Sequence, residues 1–183
     1  MRKIIGCSAM MLLTVGFVYA GGETVELGSL KSTTPANWKR QPPSNKLRMA
    51  QFAIPKADGD KDDGELAISH FGKGGGGSND DNIKRWKDQF FPPEGKTIDE
   101  VTKINMFKLG KAADIVYVDI PGTYKHRFPP FDPNAKVTRK ENYRSLNVIL
   151  DSDDGLFFIR LIGPAKTMEK AKAGFDGWIK GYK

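Results

Sequence analysis

The stretch Tyr143-Arg144-Ser145-Leu146-Asn147-Val148-Ile149-Leu150-Asp151-Ser152-Asp153-Asp154-Gly155-Leu156-Phe157-Phe158-Ile159-Arg160-Leu161-Ile162-Gly163-Pro164 decides the fold of this chain. Two apolar runs, 143–150 and 156–162, flank a short acidic turn that ends in Gly155. Strands joined by so few residues pair antiparallel, because a parallel return needs a long crossover. Gly163-Pro164 ends the hairpin. A helix is predicted after it, with Met168, Ala171, Phe175, Trp178 and Tyr182 at helical spacing. Gly174 and Gly177 weaken that helix by about 1 kcal/mol each relative to alanine.

Working back toward the N-terminus, Ala113-Asp114-Ile115-Val116-Tyr117-Val118-Asp119-Ile120 reads as a strand. Between it and the hairpin, 121–142 is predicted to be a long loop, since Phe128-Pro129-Pro130-Phe131-Asp132-Pro133 is too proline-rich for regular structure. A loop of that length inside a compact domain is usually functional or mobile. The segment 96–106 is mixed, and Gly110-Lys111 reads as a turn. Leu47 to Ile54 alternates, with Ala50, Phe52 and Ile54 on one side. After an acidic turn, Ala57-Asp58-Gly59-Asp60-Lys61-Asp62-Asp63-Gly64, the run Glu65 to Phe71 completes a second hairpin. Residues 21–33 read as an N-terminal arm with one alternating piece, Thr24-Val25-Glu26-Leu27, and 34–183 as a single domain. The expected class is α+β: an antiparallel β-sheet flanked by helices, an α/β/α sandwich.

The most unusual local sequence is Gly72-Lys73-Gly74-Gly75-Gly76-Gly77-Ser78, which opens a helix carrying Ile83, Trp86 and Phe90 on one face until Pro92-Pro93 stops it. Ser78 is a natural N-cap, with Asp81 three residues on. The glycines satisfy G-x-G-x-x-G, a phosphate cradle when it joins a strand to a helix in a βαβ unit. The antiparallel neighbourhood supplies no such unit, and Asp80 and Asp81 occupy the anion-favouring first turn themselves. Two readings stay open for Gly74, Gly75, Gly76, Gly77 and Ser78: a linker that folds the helix over the sheet, or a backbone-lined pocket for a small or peptide ligand.

Residues 1–20 read as a cleavable signal peptide. Arg2 and Lys3 form the basic end, Ile4 to Val18 carries no charge, and Val18-Tyr19-Ala20 places small residues before a cut after Ala20. The apolar run falls short of the roughly twenty residues that span a bilayer. The alternative is an uncleaved N-terminal helix that tethers a structural domain. Cleavage leaves 163 residues, enough for one domain with a core. Formal charge drops from +7 to +5, and the only cysteine, Cys7, leaves too. Disulfides, thiol nucleophiles and thiolate metal sites are thereby excluded. An exported chain is expected to be periplasmic or secreted and to meet no nucleic acid.

Candidate chemistry is sparse. Asp58, Asp60 and Asp62 start like an EF-hand loop, but Asp63 and Ser69 stand where it needs glycine and glutamate. His70 shares a strand face with Leu66 and Ile68 and reads as structural; His126 reads as solvated. No serine sits in a nucleophile elbow, and no metal or cofactor is expected. Tyr124, Arg127, Phe128 and Phe131 belong to a cation-aromatic segment suited to proteins, peptides, glycans or anionic envelope material. The expected function is a non-enzymatic binding or accessory protein of the cell envelope. The competing expectation is an envelope-acting hydrolase that uses His70 and nearby carboxylates.

The order of elements from about Thr34 to Lys183 resembles the PsbP-like α/β/α sandwich. So does the closing signature Phe157-Phe158-Ile159-Arg160-Leu161-Ile162-Gly163-Pro164, then Thr167-Met168 and a helix with Phe175. The glycine loop, Asn82, Arg85-Trp86, Gln89-Phe90 and Gly122-Thr123-Tyr124 are similar to a group of exported bacterial proteins. The wider fold implies accessory or binding roles, such as extrinsic subunits on larger complexes. No photosystem-docking or small-GTPase-binding motif is matched residue for residue.

Overall fold

A computed structural model describes residues 21–128 and 134–183. The expected leader, with its cut after Ala20, and Phe131 lie outside the described residues. The predicted hairpins are present and extended: β4 (Arg48–Ile54) pairs β5 (Gly64–His70), and β9 (Val137–Ser152) pairs β10 (Gly155–Pro164), all antiparallel. The two hairpins join through β5 and β10, in a register that sets Ile159 opposite Ile68 and Leu161 opposite Leu66. With β3 (Lys39–Gln41), β6 (Phe90–Phe91), β7 (Lys103–Leu109) and β8 (Ala113–Arg127), they form an eight-stranded sheet in the order β3-β4-β5-β10-β9-β8-β6. The far edge is split. β6 covers one end of β8 and β7 the other.

Period-two alternation gives this sheet two buried faces. On one, Phe52, Ile68, Val148, Phe157 and Leu161 meet Phe175, Trp178 and Ile179 of α3 (Ala165–Lys180). On the other, Val118, Ile120, Ile149 and Phe158 meet Ile83 and Trp86 of α1 (Asn79–Lys87) and Ile98 of the short α2 (Ile98–Val101). The predicted class, an antiparallel sheet flanked by helices, is the observed one.

The acidic turn between β4 and β5 has a structural role. Pro164 precedes α3 and supplies no side-chain cap. Asp60 does so instead, accepting from the Thr167 amide at 2.9 Å and its hydroxyl at 2.6 Å. A carboxylate there also suits the positive end of the helix dipole. Asp62 accepts from the Tyr143 hydroxyl and from Lys140, and Asp63 from the Lys56 amide.

Four local expectations are corrected. The segment 121–142 is not one long loop, since β8 continues to Arg127 and β9 begins at Val137. Pro121 is tolerated because β7 ends opposite Asp119 and β6 begins opposite Thr123, so no strand on that side needs its missing N–H. The N-terminal arm is a hairpin of β1 (Thr24–Leu27) and β2 (Leu30–Thr33), turning at Gly28 with φ +61°. Its Val25, Leu27 and Leu30 are buried in the α3-side core. The first helix ends at Lys87, so Phe90 reaches the same core from β6 instead. Finally, 96–106 resolves into α2, with a Thr97–Glu100 capping box, and most of β7.

Candidate binding groove

The two faces are covered unequally. α3 has sixteen residues and the β1–β2 hairpin beside it, with Ser32 donating to the Trp178 carbonyl at 2.7 Å. α1 has nine, about 13 Å of helix, and its Ile83 and Trp86 pack with residues of β6, β8, β9 and β10. On the same face, Gln51 of β4 and Glu65, Ala67 and Ser69 of β5 stay half-exposed. The step between α1 and these strands is a groove of about 620 Å³, within the usual size of small-ligand sites.

Its floor is aromatic: Trp86 from α1, Phe158 from β10 and Tyr124 from β8. Leu47 and Phe71 stand at its rim, each nearly half exposed. Arg48, Arg85, Arg160 and the β8 residues Lys125 and Arg127 supply charge from four different elements. Arg160 lies over the Tyr124 ring at 5.3 Å, and its buried Nε has no hydrogen-bond partner. Arg48 Nη1 sits 2.9 Å from Glu65, close enough for attraction but misaligned for a hydrogen bond. Arg85 donates to the side-chain oxygen of Asn82. Neither Arg85 nor Arg160 has a carboxylate partner among the described residues. Asp88, a lining carboxylate, is paired with Lys84 at 2.9 Å.

The glycine loop packs against the lining residues Phe71, Asn82 and Phe158 without lining the groove itself. Asn82 is buried and donates to the carbonyls of Gly76 at 2.8 Å and Ser78 at 2.7 Å, while its oxygen orients Arg85. Gly76 has φ +98°, and a Cβ there would sit 2.5 Å from Phe158 Cε2. Gly74 (φ +74°) has open space around it, Gly75 turns back on the Gly72 carbonyl, and Gly77 has φ +78° beside Asn82. Ser78 caps α1, accepting from the Asp81 amide and donating to its carboxylate at 2.6 Å.

Of the aromatic-cation residues singled out in the sequence, Tyr124 and Arg127 line the groove, from β8 rather than from a loop. Phe128 lies just beyond β8, 77% exposed, and does not line it. Tyr124 stacks on Tyr143 with centroids 6.1 Å apart. Burial, together with donation to Asp62, pushes the Tyr143 hydroxyl up to about 12. Lys140, and after it Tyr143, holds the Asp62 carboxyl below its ordinary range. Motif reading missed Arg48 and Arg160 as a site. Their signal was a lone cation in each of two strands, among apolar residues in β10 and with Gln51 as the other polar residue in β4.

His70 belongs to the other face. It stacks on Phe157 at 4.3 Å, and its Nδ1–H donates to the Leu156 carbonyl at 3.0 Å. Asp154 of the adjoining turn is taken up by the Ser29 amide and hydroxyl, which lower its pKa. No group of three metal-ligating side chains occurs among the described residues, and no described helix is long and apolar enough to cross a membrane.

No family profile matches the chain, and no curated protein does. Among solved structures it is similar to the solution structure of cyanobacterial PsbP (CyanoP) from Synechocystis sp. PCC 6803. The two share 11% identity with a TM-score of 0.47, over 92% of this chain and 95% of that one.

Proposed function

We propose that this is an exported, non-catalytic binding or accessory protein whose contact surface is the groove beside α1. The observation that carries the reading is the convergence of Arg85 and Arg160, both without a carboxylate partner among the described residues, on an aromatic floor. Such a surface favours an anionic partner and offers it stacking area. The lining contains no histidine, and its Asp88 is engaged by Lys84, so it supplies no poised general base. The hydrolase alternative is less well supported, since His70 faces away from the groove and spends Nδ1 on a backbone carbonyl.

Native mass spectrometry of the protein isolated from its own host tests this. An adduct is expected that denaturation releases chemically unchanged and that an Arg85→Glu/Arg160→Glu double variant lacks. Retention of the adduct by that variant would remove the groove from the reading. Conversion of the released compound by added protein would make the chain an enzyme.

A further inference from the structure

We propose that the groove recognises a carboxylate carried on an apolar or aromatic body; this rests on the binding reading above and names the ligand class. Three observations lead there. First, the lining cations are guanidiniums apart from Lys125, whose ammonium is engaged by the Asp88 carbonyl and the Phe91 ring, and planar forks match a planar carboxylate through paired N–H donors. Second, Arg160 lies over the Tyr124 ring and Arg85 is held by the buried Asn82, so both forks have a partner that orients them before any ligand arrives. The buried Nε of Arg160 has no acceptor, and an unmet donor of that kind favours a ligand oxygen that draws the fork outward. Third, Leu47 and Phe71 expose apolar area next to the cations, beside the buried rings of Trp86 and Phe158. A bare inorganic ion would leave that area unused, whereas an acid with a hydrocarbon body covers it.

The oriented cations are few. Arg48 is already attracted to Glu65 and Asp88 to Lys84. Lys125 donates to the Asp88 carbonyl and lies over the Phe91 ring, so Arg85 and Arg160 are the forks assigned to the carboxylate. Two sources carry this chemistry: a free organic acid, and the C-terminal residue of a peptide with an apolar side chain.

NMR titration of the full chain, following groove amides and the Trp86 indole, tests the assignment with four probes. These are phenylacetate, a tripeptide ending in phenylalanine with a free C-terminus, the same peptide as its C-terminal amide, and phenyl phosphate. Saturable shifts confined to the groove are expected for the first two, with the amide at least about tenfold weaker, as loss of one charged contact implies. Binding of phenylacetate identifies a free acid as sufficient; binding of the free-ended peptide alone identifies a chain terminus. Arg160→Gln and Arg85→Gln should each weaken binding about tenfold. Arg85 sits at an exposed helix position, so its variant keeps the test open if the strand variant misfolds. Three results overturn the carboxylate assignment: equal binding of the amide, tighter binding of phenyl phosphate, or no binding by any probe. If an adduct is nevertheless lost in the double-glutamate variant, the groove survives and only the carboxylate falls.

Discussion

At the scale of single residues, Asn82 and Gly76 hold the glycine loop against the groove. Asn82→Ala removes two buried bonds to loop carbonyls and the support of Arg85, an expected loss of about 2–3 kcal/mol in urea unfolding. Gly76→Ala places a side chain at positive φ and into Phe158, and is expected to cost more than 1 kcal/mol. Both variants should speed amide exchange over 76–78; unchanged exchange would mean that the loop is fixed elsewhere. Tyr143 gives a pH prediction. Its folded pKa, about 12, lies above the ordinary tyrosine value near 10. The stability this represents is present below pH 10 and is lost as pH rises toward 12, by about 1.4 kcal/mol per unit for one such group. Tyr117 and Tyr182 are shifted upward as well, both by burial. Alkaline unfolding should therefore be steep, and Tyr143→Phe should flatten it measurably. The residues of the groove were the least legible part of the sequence. Arg160 in Phe158-Ile159-Arg160-Leu161 broke a strand pattern, but nothing local said that Arg48 and Arg85 would meet it. That meeting depends on β5 pairing with β10 and on α1 crossing the sheet.

At the scale of elements, the hairpins, the closing helix and the Ser78 cap were legible, because alternation and capping are local. The first half of β8, Ala113 to Ile120, was legible too, but its continuation to Arg127 was not, because Pro121 and Gly122 read as punctuation. Both are accommodated by the split edge. Gly122 has φ +152°, and a Cβ there would lie 2.4 Å from the Phe91 carbonyl oxygen of β6. Gly122→Ala is therefore expected to cost about 1–3 kcal/mol and to expose the Phe90 and Phe91 amides to exchange. The distal part of the hairpin has its own anchor, with Lys125 and Arg139 lying 4.2 and 4.3 Å from the Phe91 ring. Full protection of Phe90 and Phe91 in Gly122→Ala would show that β6 is held by these cations rather than by close backbone approach.

At the scale of the molecule, one sheet has one face largely covered and one face covered less. The covered face depends on the β1–β2 hairpin, where Lys31 and Lys183 exchange backbone hydrogen bonds in both directions. Starting the chain at Thr34 would expose what Val25, Leu27 and Leu30 bury. The expected cost is about 5 kcal/mol, an upper figure from side-chain burial. Thermal or urea unfolding of that truncation checks it, and near-parental stability would show the hairpin to be an appendage. The groove on the other face arises simply because a nine-residue helix is too short to cover this sheet.

The strand β7 has consequences for how copies of this chain behave together. It pairs with β8 alone, so its outer side presents unpaired backbone groups beside Met106, which is 73% exposed, and Ile104. Such a ribbon is a template for fibre growth unless charge interrupts it. Lys103 and Lys108 bracket its apolar segment. They act as gatekeepers, with colloidal stability rather than fold as their contribution. Replacing both with valine should leave the melting temperature close to parental while light scattering at high concentration rises sharply.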